Sequence, residues 1–254
     1  MLCGIAWRVR EDPGARFAEL RQLCTAAGDK GSLAIAMAGR VFDHAYHSRL
    51  REASQLATEA MDLINSLGDP TLTVGLSIAP IYAKGECTEW SEALPWLDKV
   101  IELAAGDPTM ANFLTGSPLA VALTMRAQTR CFLGLPGWQD SWRNGLEMAQ
   151  SADALSYTTA AGYIYGAGIP SGVLPVDDRA MREIEDVLRT AERSSDDLAM
   201  TLARMVLGMA LVHREANAER DRGARILTEV RKRSSAEDTT QSCCLWSTCI
   251  WAVK

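Results

Sequence analysis

The chain is poor in the features that cross membranes, grip phosphates or close cofactor sites. No apolar run approaches the roughly 20 residues that span a bilayer. The nearest, Leu198 to Val212, is short and broken by Arg204. The first ten residues lack the extended apolar stretch and cleavage site of a signal peptide. Aromatics are only 6% of the sequence and no segment alternates as a strand, which argues against sheets. Basic charge is outnumbered, with 26 Lys and Arg against 32 Asp and Glu. A net charge of −6 and a pI near 5.2 exclude the basic face that nucleic acid requires. Cys3, Cys24, Cys87 and Cys131 lie far apart in apolar contexts, which predicts buried thiols in a reduced, cytoplasmic protein.

Catalytic signatures are missing as well. The nearest approach to a phosphate-binding loop, AAGDKGS from Ala26, lacks the Gly-Lys-Ser/Thr ending. There is no Gly-x-Ser-x-Gly elbow. His44 and His47 are three apart beside Asp43 and could face one metal, but nothing supplies a third and fourth ligand. They are read as a polar helix end near Tyr46, and His213 as a residue complementing a helix dipole. The carboxylates Glu183, Glu185 and Asp186, Asp196 and Asp197, and Asp177 and Asp178 are read as solvated faces and caps rather than acid–base pairs. The sequence thus predicts no catalytic residue, no cofactor and no metal.

What is present is a recurring joint. It reads AAGDKGSLA at Ala26, LGDPTLT at Leu67, AGDPTM at Ala105, SADALSY at Ser151 and SSDDLAM at Ser194. The joints recur roughly every 40 residues, a spacing typical of helical repeats. Gly28, Gly68 and Gly106 suit the left-handed conformation that ends a helix. Each following Asp can cap the next helix, and Pro70 and Pro108 suit a first helical position.

Between joints the apolar period is helical. Leu50, Ala53, Ala57, Ala60, Ile64 and Leu67 share one face, with Glu52, Thr58, Glu59 and Asp62 elsewhere. Leu94, Leu97, Ile101 and Ala104 repeat the pattern, with a kink or late start predicted at Pro95. Met181, Ile184, Val187, Leu188 and Ala191 repeat it again. The fold class predicted is all-α, a tetratricopeptide-like α-solenoid of antiparallel helix pairs with about ten or eleven helices. LTGSPLA around Gly116 and the loop from Gly168 to Asp178 interrupt it. The second is expected to separate the last helices from the first eight.

A solenoid has a concave face, and aromatics with arginine are what binding faces use. Trp90, Trp96, Arg126, Arg130, Trp138, Trp142 and Tyr157 are the candidate partner-binding residues, with Tyr163 and Tyr165 nearby in sequence.

The phrases CTAAGDKGSLAIAMAG, REASQLATEAMDLINSLGDPTLTVGLS, GSPLAVALTMRA, GIPSGVL and DDRAMREIEDVLRTAERSSDDLAMTLARMVLGMALVHR carry a resemblance that runs from Met1 to about Arg231. They resemble the C-terminal tetratricopeptide-like region of actinobacterial, mycobacterial-type regulators that join a class III adenylate/guanylate cyclase-like domain to an AAA/STAND ATPase domain. The nucleotide-binding loop and cyclase aspartates of such proteins belong to upstream domains that this chain lacks. The resemblance therefore implies a non-enzymatic interaction or sensor module, truncated from a longer signalling protein. Its concave face would take a protein or small effector. An uncapped first helix offering Leu2, Ile5 and Trp7 predicts self-association or a covering partner. An enzyme on a helical scaffold, or a remnant without activity, are the alternative readings.

The end of the chain departs from this pattern. QSCCLWSTCIWAVK, from Gln241, holds Cys243, Cys244, Cys249, Trp246 and Trp251. It is a weak zinc signal and too short for a membrane anchor. GC-rich back-translation shifted by two bases reads as a helix like the one that follows in such regulators. The expectation is a repeat domain over residues 1–233 and an out-of-frame tail over 234–254.

Overall fold

The computed structural model describes residues 14–112 and 116–236. All regular structure among them is helical. The order is α1 (Gly14–Ala27), α2 (Lys30–Tyr46), α3 (Leu50–Leu67), α4 (Pro70–Leu76), α5 (Ile78–Glu86), α6 (Trp90–Ala104), α7 (Pro118–Phe132), α8 (Trp138–Ala152), α9 (Ala154–Ala161), a π-helical segment (Gly162–Gly166), α10 (Asp178–Ser194), α11 (Asp197–Val212) and α12 (Asn217–Ala236). Only Ser77, itself in the right-handed helical region, separates α4 from α5. Taken as one rod they leave eleven α-helices among the described residues, within the number expected. None of these helices is long and apolar enough to cross a membrane. Leu2, Ile5, Trp7, Cys3 and the tail beyond Ala236 lie outside the described residues.

Local chemistry sets most helix ends. Gly28 and Gly68 take φ of +67° where α1 and α3 stop. Asp29, Asp69, Asp153, Asp177 and Asp196 each accept a backbone N–H three residues on, at 2.8 to 3.0 Å. These bonds satisfy donors that a helix start leaves bare. Asp69→Ala should therefore cost about 1 kcal/mol, read as a lower urea midpoint with unchanged slope.

One joint corrects the expectation. After α6, Ala105 and Gly106 both turn left-handed, with φ of +48° and +87°. Asp107 then spends its carboxylate on the Thr109 N–H and hydroxyl, at 2.8 and 2.7 Å. Pro108 starts a turn, and the next helix waits for Ser117 and Pro118. At Pro95 the late start is not seen. The helix starts five residues earlier, at Trp90, and runs through it.

Packing is dominated by small side chains. On α2 and α3, Ala34, Ala38, Ala45, Ala53, Ala57 and Ala60 are fully buried, so the two helix axes can approach closely. Each helix packs on its neighbours in sequence and commonly on the next but one: α2 on α3 and α5, α6 on α5 and α7, α9 on α8, α10 and α11. One core cluster runs from Ala34 to Met125 and a second from Ala127 to Leu211. The second includes Trp142 before the long loop and Ile184 and Leu207 after it. The loop therefore does not divide two cores.

Several contacts leave no room for a side chain. A Cβ on Gly116 (φ +76°) would lie 2.3 Å from the Ser156 hydroxyl, which accepts the buried Ser117 N–H at 2.7 Å. α11 and α12 cross at Gly208 and Gly223, where a Cβ on Gly223 would lie 2.8 Å from the Gly208 carbonyl oxygen.

Buried charge is paired. Lys84 Nζ donates to Glu89 at 2.6 Å and Ser54 at 3.0 Å, and pairs with Glu92 at 2.7 Å. Asp43 receives Arg40 and Arg49 at 2.7 and 2.6 Å. His47 Nδ1 donates to the Asp43 carbonyl at 2.8 Å, so Asp43 ties the end of α2 to the start of α3. Burial first, then Arg40 and Arg49, holds the beside-lying His44 below its ordinary pKa. The thiols are less buried than expected. Cys24 is buried, but Cys87 and Cys131 are half-buried, and Cys87 Sγ donates to the Leu50 carbonyl at 3.1 Å.

Candidate functional site

The turn between α7 and α8 reads Phe132-Leu133-Gly134-Leu135-Pro136-Gly137. Gly134 and Gly137, with φ of +69° and +79°, reverse the chain. Arg130 clamps the turn, its Nε and Nη2 both donating to the Pro136 carbonyl at 3.0 and 2.6 Å. The reversal leaves apolar side chains with nowhere to bury. Phe132 is 41% exposed and Leu135 37%.

Beside this turn lies a cleft between the end of α7, the start of α8 and the π-helical segment with the loop after it. It is shallow: about 230 Å3 counting the open solvent at its mouth, but only about 10 Å3 of free space within its walls, room for one water. Gln128, Cys131, Phe132, Trp138, Trp142 and Tyr163 form most of its wall. Trp138 and Trp142 meet edge to face, with centroids 5.1 Å apart. Trp90 packs on the outer side of Phe132 at 5.2 Å. Gly168 is what admits the Trp142 ring, because a Cβ there would lie 2.9 Å from it and 3.0 Å from Leu174. Gly168→Ala should therefore displace the indole and cost about 1–2 kcal/mol, seen as a lower melting temperature and a changed near-ultraviolet dichroism of the tryptophans.

Two polar atoms in this wall are unsatisfied. Gln128 is 5% exposed and Trp142 8%, and neither Gln128 Nε2 nor Trp142 Nε1 has a hydrogen-bond partner. A buried donor without a partner costs stability. The Cys131 thiol, pushed up by burial, stays neutral. Ser171 is occupied, its hydroxyl donating to the Ala167 carbonyl at 2.7 Å.

The seven candidate residues do not form one surface. Trp138 and Trp142 line the cleft, Trp90 backs it through Phe132, and Arg130 holds its rim. Arg126 lies farther along, reaching Asp98 at 3.4 Å and Ser141 at 3.1 Å, with a buried, unpartnered Nε. Trp96 is half-buried against the first core cluster, with Lys84 Nζ 5.9 Å from its ring centre. Tyr157 belongs to the interior. It is buried, and its hydroxyl donates to Asp186 at 3.2 Å. Tyr165, also buried, donates to Glu183. Burial first, then these carboxylates, pushes both phenols above their ordinary range. Glu183 and Asp186 are thus half-buried acceptors for α9 and the π segment, not the solvated face expected of them.

Sequence reading missed Gln128, Phe132 and Leu135. An available signal was the apolar content of a turn rich in Gly and Pro. Another was the lone amide of α7, Gln128, set between Ala127 and Thr129. Among the described residues no group of three or more His, Cys, Asp and Glu side chains gathers as a metal site would need. Compared with known proteins, the chain matches no family model and no curated protein, so the cleft is defined by its own geometry alone.

Proposed function

We propose that this chain is a tetratricopeptide-like α-solenoid serving as a non-catalytic interaction or sensor module, part of a longer cytoplasmic regulator of the cyclase-like and ATPase kind. The observation that carries this reading is the exposed apolar rim of Phe132 and Leu135 beside an aromatic cleft. Exposed apolar side chains gathered at a cleft mark contact sites more often than scattered ones do. The stepwise packing of each helix on its near neighbours supports the solenoid, which buries a continuous core by stacking short units. The cleft wall carries no carboxylate and no histidine, which favours binding over acid–base chemistry there.

The coding DNA and one reconstitution test this together. The upstream frame should encode a nucleotide-binding loop and a cyclase-like domain. Added to that ATPase segment, the chain should slow ATP turnover, and the double variant Phe132→Asp with Leu135→Asp should not. An upstream region with no such frame would remove the reading.

A further inference from the structure

The joint between α2 and α3 hangs on one carboxylate. Asp43 is 6% exposed, and its Oδ2 receives both Arg40 and Arg49, at 2.7 and 2.6 Å. The Arg49 N–H also donates to the His44 carbonyl at 2.9 Å. Ser48, just before it, is left-handed with φ of +59°, a backbone that a non-glycine residue keeps only where its surroundings hold it. His44 follows Asp43 on α2, and its buried Nδ1 has no hydrogen-bond partner. The neutral ring suits this place, because it can keep its proton on Nε2 and leave Nδ1 bare. A charged ring would put a second N–H on Nδ1, with no acceptor. Burial, Arg40 and Arg49 all oppose that charge, and Asp43 and Glu52 favour it less strongly. His47 differs. Its ring lies 3.1 Å from Asp43 Oδ1, so a proton there meets opposite charge. The other charges on α2 and the helices packed against it are Lys30 of α2, Arg16, Glu19 and Arg21 of α1, Arg51, Glu59 and Asp62 of α3, and Lys84 and Glu86 of α5. Arg21 reaches Glu59, and Lys84 is held by Glu89 and Glu92.

We propose that this cluster is an acid-sensitive latch: a proton taken up by His44 adds a third cation to the two that share Asp43, displaces Arg49 from the carboxylate and loosens the α2–α3 joint. α1 and α2 then open more readily from the rest of the array, while the second core cluster, from Ala127 to Leu211, stays closed. The sign follows from the direction of the His44 shift, which is downward from the ordinary 6.5. The stability that the joint supplies is full above 6.5 and is lost as pH falls from there through the lower folded value.

Hydrogen exchange of the intact chain at about pH 7.5 and about pH 5.5 tests the latch, with rates corrected for the intrinsic pH dependence of exchange. Opening at the Arg49 amide and along α2 should rise about fivefold at the lower pH, with the amides of α11 unchanged. His44→Gln keeps an amide N–H near the place of Nε2 and takes up no proton, so it should remove that rise. Titration of the ring by nuclear magnetic resonance gives a reading that does not depend on how the variant folds. His44 should titrate below 6.5 in the wild type and move upward in Arg49→Gln, which removes one of the cations that oppose its charge. The proposal is overturned if wild type and His44→Gln open alike at the lower pH, if α11 opens as much as α2, or if the His44 ring titrates at 6.5 or above.

Discussion

Gly223→Ala should destabilise the protein by about 2 kcal/mol, although the same exchange in an open helix stabilises it. Alanine is favoured over glycine in a helix interior by about 1 kcal/mol. At Gly223 that gain is overridden. The new Cβ would lie 2.8 Å from the Gly208 carbonyl oxygen and 2.9 Å from Leu211 and Val212 side-chain carbons. The first of these is backbone, which cannot rotate away. α12 must back off from α11, and overpacking of this kind costs about 1–3 kcal/mol beyond the propensity gain. The separation also opens contacts at Leu227, which packs over Gly208. Gly31→Ala is the control. Its Cβ meets only Asp29 Oδ1 at an ordinary 3.7 Å, so it should stabilise by about 0.5–1 kcal/mol. Urea unfolding of both variants decides the matter: shifts of the same sign would refute the close crossing of α11 and α12.

Lys84→Met should cost about 3 kcal/mol, near the low end for breaking a buried ion pair because Glu89 and Glu92 retain contact with water. Methionine fills the volume but leaves Ser54 and Glu89 without their cation. The effect also depends on pH. Burial would raise the Glu89 pKa, but hydrogen bonds from Lys84 and Ser54 outweigh it and hold it below the ordinary 4.5. A depressed folded pKa stabilises above the unfolded value and is lost as pH falls through the folded one. At the other edge, burial would lower the Lys84 pKa, yet its bonds to Glu89 and Glu92 raise it above 10.5. That contribution is full below 10.5 and disappears as pH rises through the higher folded value. The wild-type advantage over Lys84→Met should therefore be broad around neutrality and shrink as pH falls below 4.5. A difference that stays constant as the carboxylates are fully protonated in acid would show that the stabilisation comes from packing of the lysine stem and not from its charge.

How far the sequence disclosed this molecule depended on the range of the forces involved. Helix faces and caps are set within a few residues. Asp29, Asp69, Asp153 and Asp196 were legible because a carboxylate three residues before a bare N–H needs no help from elsewhere. The joint at Asp107 shows the limit. Its Gly-Asp-Pro matches the joint at Asp69, yet two successive left-handed residues redirect the chain and Thr109 captures the carboxylate. Residue type identified Trp138 and Trp142 as candidates. It could not place Gln128 and Phe132 beside them, because that cleft closes only when the loop after the π segment folds back over α7 and α8. Type misled at Tyr157, whose partner Asp186 lies 29 residues away on a helix whose contacts no local pattern encodes.

The π-helical turn at Gly162–Gly166 has a consequence for chain length. Its wider winding accommodates one residue more than an α-helical turn. Elsewhere in α9 or α11, deleting one residue would rotate everything downstream by about 100° and turn buried faces outward. Here the deletion lets the helix rewind as α while both flanks keep their facing. Within this tightly packed array, Gly162–Gly166 is accordingly the stretch where a related sequence could be one residue shorter and still build the same core.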